Sequence, residues 1–186
     1  PILKQFGSEE DGVRRGELGF ITGLGLLGDS RATPLLIGWL HFLLEQRNDW
    51  GDPDGWHFQF VIRALGRIGD AESINDILHA YAMDYAWQID IDKLKEGESR
   101  PHPSISKRRK RTLEGIRNEV KVALVRIGED GRDKLSEHSE GFFPDRFSEY
   151  ENPDFTHLEY EERRNCLNNL IRDLIIDVLD SIESPM

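Results

Sequence analysis

The chain of 186 residues contains one cysteine, Cys166, so it forms no disulfide within itself. Folding without disulfides is typical of proteins in a reducing compartment, and the cytoplasm is the expected location. No apolar run approaches the roughly 18 residues that a membrane-spanning helix needs, so we expect no membrane association. The length suffices for one domain with a single buried core.

Sequence motifs for metal binding and covalent catalysis are also missing. No two cysteines and no two histidines stand at the spacings that zinc sites use. The glycine-rich residues 23–28 are not followed by the Gly-Lys-Ser/Thr of a phosphate-binding loop. Cys166 has only Arg163 and Arg164 nearby in sequence to activate its thiol. We therefore expect no catalytic residue, no bound metal and no cofactor.

Charge is plentiful but unevenly distributed. The formal net charge is −11, yet residues 101–128 hold eight lysines and arginines against two acids, whereas residues 129–186 hold six against sixteen. Binding to a phosphate backbone needs a sustained basic surface, so the acidic body argues against nucleic acid as a general partner. It favours a basic protein or peptide, although surface acids also simply keep proteins soluble.

One short motif occurs three times. Residues 64–70 (Ala-Leu-Gly-Arg-Ile-Gly-Asp) are typical of a helix end and a tight corner before the next helix. Related versions stand at residues 24–29 and 123–130, the last with Val125 at the first glycine position and Glu129 inserted before the aspartate. Glycine suits a left-handed helix cap, and aspartate accepts hydrogen bonds from free helix amides. Three copies predict a repeat architecture.

Apolar side chains recur at three- and four-residue spacing, and no strand pattern is present. The first helix is predicted over about 12–27, with Leu24 and Leu27 in its buried stripe. Four glycines lie within it, and each costs an isolated helix up to about 1 kcal/mol. Close packing of this helix against a neighbour is therefore expected at those glycines, which are Gly16, Gly19, Gly23 and Gly25.

We predict one all-α domain over residues 1–186. Thr156 and Glu159 have the spacing of a capping box and open the clearest amphipathic helix, which suits a terminal cap with one polar face. Before it, seven aromatic and proline residues predict an ordered loop. The predicted units are three helix pairs, the aromatic loop and the capping helix, at 12–47, 55–94, 106–138, 139–155 and 156–182.

The corner followed by a helix rich in Ile and Leu resembles HEAT-like repeats, especially the short type of phycobilin lyases, over residues 24–44, 61–81 and 120–135. The resemblance implies a right-handed α-solenoid in which stacked helix pairs form a curved array, with the second helices lining its concave face. It implies function only loosely, because such arrays serve as scaffolds, enzymes and nucleic-acid binders. Some HEAT-like hydroxylases hold a di-iron centre with His-Glu pairs, and no histidine here precedes a glutamate.

We expect a non-enzymatic interaction module, or scaffold, that presents a curved and largely acidic surface to a protein or peptide. Tryptophans in the turn-rich loop 48–56 can anchor a partner, although a tryptophan there more often covers the adjacent core. Polar positions of the second helices and five consecutive bases complete the candidate set, which is Trp50, Trp56, Glu72, Asp76, His79, Lys107, Arg108, Arg109, Lys110 and Arg111.

Two other functions remain open. An accessory protein or lyase that resembles the bilin lyases would need an aromatic-lined groove, and ordinary core packing explains most of the aromatic residues. Nucleic-acid binding would rest on residues 107–111, whose bases can contact phosphates. The alternatives for that cluster are a solvated helix start that pairs with acids elsewhere in the molecule, and binding to an acidic protein partner.

Overall fold

A computed structural model of the chain describes residues 12–45, 56–83, 103–140 and 157–183. No strand occurs among these residues, so the all-α prediction is confirmed for the described part of the chain. Short 3-10 segments follow α1, α3 and α5, in the numbering given next. The helices are α1 (Gly12–Leu27), α2 (Thr33–Glu45), α3 (Trp56–Ile68), α4 (74–83), α5 (Pro103–Ile127), α6 (Arg132–Glu140) and α7 (His157–Glu183).

The helix boundaries follow local sequence signals. The bounds of α1 agree with the predicted 12–27, and α3 begins one residue after 55, the predicted start of the second unit. Helix α5 begins at Pro103, three residues before the expected 106, because proline costs nothing in a first turn, where its missing N–H has no helical acceptor. Helix α7 begins directly after the predicted cap, Thr156, which itself lies outside the described residues.

All three predicted corners contain a glycine with left-handed backbone. The φ angles are 65° at Gly28, 77° at Gly69 and 64° at Gly128, a region that only glycine adopts without strain. At the first two corners the next residue, Asp29 or Asp70, caps the 3-10 turn, and its Oδ1 accepts a backbone N–H two residues ahead at 3.0 Å. The third corner has no side-chain cap, since the insertion of Glu129 displaces the aspartate by one position.

The helices that precede the corners lie next to one another. Helix α3 contacts both α1 and α5, and α5 contacts α7. Helix α2 packs against α3, and α6 packs against α7. One apolar cluster joins them all through fully buried side chains from every described helix, for example Ile21, Leu36, Leu65, Ile77, Leu124, Leu135 and Leu174. The described helices therefore share a continuous core.

Glycine allows successive pre-corner helices to approach closely. A Cβ placed on Gly25 of α1 would lie 2.7 Å from the Cα of Ala64 in α3. The same contact recurs one copy later, where Gly66 of α3 meets the backbone of Ala123 in α5 even more closely. Each glycine stands three residues before its corner glycine, and each alanine stands five before. Gly25 thus confirms the predicted close packing of α1, whereas the prediction is wrong at Gly19 and Gly23, where a Cβ would meet no atom within 4 Å. The surroundings of Gly16 lie outside the described residues.

The first and last copies depart from this pattern. Five residues before the first corner stands Gly23, and a Cβ there would meet no atom within 4 Å. Three residues before the third corner stands Val125, partly buried against the core.

The prediction that Leu27 is buried is wrong, since it is 77% exposed. Helix α1 is the first of the adjacent helices α1, α3 and α5. Leu27 is exposed because no described helix packs on the side of α1 away from α3.

Candidate functional site

Polar side chains join the helices that follow the corners, and this set is called the seam here. Its first contact links α2 to α4, where His41 Nε2 donates to Asp76 Oδ1 at 2.7 Å. Both side chains are partly buried, with 32% and 25% of their surfaces exposed. The ring of His79, one turn along α4, lies 6.4 Å from the His41 ring. A buried carboxylate would be costly without such a partner, so His41 and Asp76 stabilise each other.

The second part of the seam links α4 and its leading turn to α6. His138 Nε2 donates to Asn75 Oδ1 at 2.6 Å. Lys134 Nζ donates to Glu72 Oε1 at 2.7 Å and lies 3.4 Å from the carbonyl oxygen of Ala71. The three helices α2, α4 and α6 are therefore connected in order by side-chain hydrogen bonds.

Burial keeps the His138 ring neutral at pH 7, so this histidine adds no positive charge to the seam. Desolvation by burial lowers the pKa of His138 below its ordinary 6.5; the Lys134 ammonium acts in the same direction and Glu137 opposes it. The neutral ring then donates a single hydrogen bond, which the Asn75 amide oxygen accepts. At pH 7 the fixed positive charge of this part of the seam is that of Lys134.

Carboxylates project from the same region. The Glu72 side chain is 79% exposed in spite of its hydrogen bond with Lys134, and Asp133 and Glu137, one turn apart on α6, are also exposed. Because these carboxylates are exposed, a partner can reach them. The ion pair of Glu72 with Lys134 adds little to stability at this exposure. The local balance is acidic because the nearby cations Lys134 and Arg132 are themselves paired with acids.

Ion pairs also join the helices α3, α5 and α7 to one another. Arg63 of α3 donates to both carboxylate oxygens of Glu119 in α5, and its guanidinium also lies 5.4 Å from the Phe60 ring centre. Arg117 and Lys121 of α5 both contact Asp177 of α7, at 3.0 Å each. These cations lower the pKa of Asp177, with Lys121 contributing most. Arg63, Arg117 and Lys121 are thus paired with acids of neighbouring helices.

The structure brings together only part of the predicted partner-binding set. Glu72, Asp76 and His79 lie on one face of α4 and its leading turn; Glu72 is exposed, whereas Asp76 is held in the seam. Trp56 is the first residue of α3, but its side chain and all of Trp50 lie outside the described residues.

The five bases fall within the first half of α5, as the interpretation of a helix start predicts. Nothing of the side chains of Lys107, Arg108, Arg109, Lys110 and Arg111 is described. Of the predicted loop 48–56, residues 48–55 lie outside the described residues, and Trp56 begins α3. Residues 84–102 and the aromatic residues 141–155 also lie outside them. The described part of the candidate site is therefore the seam and the acids beside it.

The sequence analysis did not identify Lys134 and His138 as members of this site. The sequence does contain a spacing that could have identified His138 as a candidate. His138 stands ten residues after Gly128, and His79 stands ten residues after Gly69. The position of a histidine on successive post-corner helices thus repeats with the corner. What the spacing does not give is the partner, because Asn75 and His138 are 63 residues apart.

The described residues offer neither a metal site nor a membrane-spanning helix. Residues 12–45, 56–83, 103–140 and 157–183 contain no group of three or more His, Cys, Asp or Glu side chains arranged to hold a metal ion. Within those same ranges no helix has the length and apolar character needed to cross a membrane. The chemistry of the described site is hydrogen bonding and charge.

Comparison with protein-family models, with curated proteins and with solved structures finds no match to this chain.

Proposed function

We propose that this chain is a HEAT-like interaction module, in which helix pairs stack as a right-handed solenoid and the post-corner helices present an acidic surface to a basic protein or peptide. The observation that carries the proposal is the seam, which ties α2, α4 and α6 together while Glu72, Asp133 and Glu137 remain exposed beside it. A rigid surface binds with little ordering cost.

Support for the stacking comes from the repeated contact of glycine with alanine. Gly25 against Ala64 and Gly66 against Ala123 use the same positions relative to successive corners. A contact repeated with the sequence motif is what a one-dimensional array requires, since each unit meets its neighbour in the same way. The array holds the exposed acids at fixed separations.

Charge reversal on this surface tests the function. In Glu72→Lys/Glu137→Lys both substituted side chains are exposed, so the fold should tolerate them. The matched control is Glu114→Lys/Asp173→Lys, which makes the same change in net charge at exposed positions of α5 and α7. Circular dichroism spectra that superimpose would establish that both variants are folded.

The readout is capture from an extract of the cells that make the protein, with mass spectrometry of retained proteins and absorbance spectra of the eluate. We expect the wild type and the control to retain the same basic protein and the seam variant to lose it. Equal retention by both variants would contradict the proposal. Retained nucleic acid or a visible chromophore, without a protein, would favour binding through residues 107–111 or a lyase-like function instead.

A further inference from the structure

An apolar stripe runs along α1 on positions 16, 20, 23 and 27. The spacing of four, three and four residues places these positions on one helix face. Phe20 is 51% exposed and Leu27 77%, and a Cβ placed on Gly23 would meet no atom within 4 Å. Large exposed apolar side chains grouped on one face mark interaction surfaces in soluble proteins.

The corresponding positions on α3 and α5 are helix interfaces. Phe20, Gly23 and Leu27 stand eight, five and one residues before their corner glycine, as Val61, Ala64 and Ile68 do on α3. On α3, Val61 and Ala64 are buried and Ala64 contacts Gly25 of the preceding helix. The equivalent residues Val120, Ala123 and Ile127 are buried on α5. The stripe on α1 therefore corresponds to the face by which α3 packs against α1 and to the face by which α5 packs against α3.

The composition of the stripe differs from its two counterparts. Both inner copies have β-branched residues flanking an alanine, whereas α1 has the larger Phe20 beside a glycine. The stripe therefore contains both a projecting ring and an open position, three residues apart. A surface that includes a feature and its complement can pair with itself about a two-fold axis.

We propose that a second copy of this chain docks on the stripe, with the two α1 helices antiparallel about a two-fold axis between positions 21 and 22. In this register Phe20 packs over the partner's Gly23, and Leu27 packs over the partner's Gly16. Each bulky side chain thus meets a glycine, which lets the two helices approach closely. The stripe lies on α1, whereas the exposed Glu72, Asp133 and Glu137 lie on the turn before α4 and on α6, so dimer formation does not depend on the proposed binding function.

Molar mass across a concentration series tests the dimer. Sedimentation equilibrium of the wild type should show a mass that rises from 21.5 kDa towards twice that value. Phe20→Glu and Gly23→Leu should remain monomeric at all the concentrations that give wild-type dimer. Ile176→Glu, which changes a residue that is 47% exposed on α7, is the matched control and should dimerise like the wild type.

Gly23→Leu separates loss of the interface from loss of the fold. The Cβ at this position would meet no atom within 4 Å, and leucine is a far stronger helix former than glycine, so the dilute variant should melt no lower than dilute wild type. A wild type that stays at 21.5 kDa throughout would overturn the proposal. If Phe20→Glu also lowered the melting temperature of this monomeric protein, the stripe would be covered by another part of the same chain. That result would likewise overturn the proposed dimer.

Disulfide trapping tests the register. In a Cys166→Ser background, copies with Gly16→Cys are mixed with copies with Leu27→Cys and oxidised. The antiparallel register predicts that mixed disulfides outnumber disulfides between identical copies, because cysteines form a bridge only when their Cα atoms are within about 7 Å. A majority of disulfides between two Leu27→Cys copies would indicate parallel helices and contradict the register.

Discussion

Gly25→Ala should destabilise the fold although alanine is the better helix former. The new Cβ would lie 2.7 Å from the Cα and 2.9 Å from the Cβ of Ala64, whereas carbon atoms pack at about 3.5–4.0 Å. The clash includes backbone, so a rotamer change cannot relieve it and α1 must move away from α3. Overpacking of this kind costs about 1–3 kcal/mol, against a gain in helix propensity of about 1 kcal/mol.

The matched control is Gly38→Ala on α2, where the new Cβ would meet no atom within 4 Å. The control retains the propensity gain without the clash. We expect the free energy of unfolding to fall by up to about 2 kcal/mol in Gly25→Ala and to rise by about 0.5–1 kcal/mol in Gly38→Ala. The difference of about 2 kcal/mol corresponds to about 4–8 °C in melting temperature for a chain of this size.

Urea unfolding followed by the helical circular dichroism signal measures both values under identical conditions. Equal stabilisation of the two variants would refute the reasoning, since it would mean that α1 and α3 are not in close contact at Gly25. Gly66→Ala should likewise lower the free energy of unfolding, because a Cβ on Gly66 would lie even closer to Ala123 of α5.

Three further variants test other contacts. His138→Gln keeps a donor for Asn75 but does not titrate; because burial lowers the pKa of His138 in the folded state, the unfolded state binds the proton more readily. Wild type should therefore lose more unfolding free energy than the variant between pH 7 and about pH 5, and parallel pH profiles would contradict this. Asp177→Asn removes two contacts with α5 and should cost about 1 kcal/mol or less, with a smaller effect in high salt; a cost that salt leaves unchanged would argue against charge as its origin. Leu174→Ala, at a fully buried position of α7, should cost about 2–5 kcal/mol in urea unfolding, whereas Ile176→Ala should stay within about 0.5 kcal/mol; similar costs for both would mean that α7 is not seated as described.

The corners and helix ends could be predicted because their causes are local. A glycine that must adopt positive φ, an aspartate that caps the next turn, and a proline at a helix start each act within a few residues. Gly28 and Asp29 therefore carry their structural role in the sequence itself, whereas the helix start at Pro103 was predicted three residues too late. The same is true of the buried stripes, apart from the helix at the edge of the row.

The contacts across helices could not be predicted in the same way. Partners such as His41 and Asp76 are 35 residues apart, and Arg63 and Glu119 are 56 apart. Which polar side chains meet depends on how the helices cross, and helical spacing gives only the face on which each one lies. For the same reason Leu27 has the periodicity of a buried residue but is exposed, because burial requires a neighbouring helix.

The central claim is that successive pre-corner helices interlock through glycine against alanine. The most direct measurement is nuclear Overhauser contact in solution, with protein labelled at alanine methyl groups and glycine Cα protons. We predict strong cross-peaks from the Ala64 methyl to the Gly25 Cα protons and from the Ala123 methyl to the Gly66 Cα protons. Resolved alanine signals without either cross-peak would contradict the stacking on which the proposed function depends.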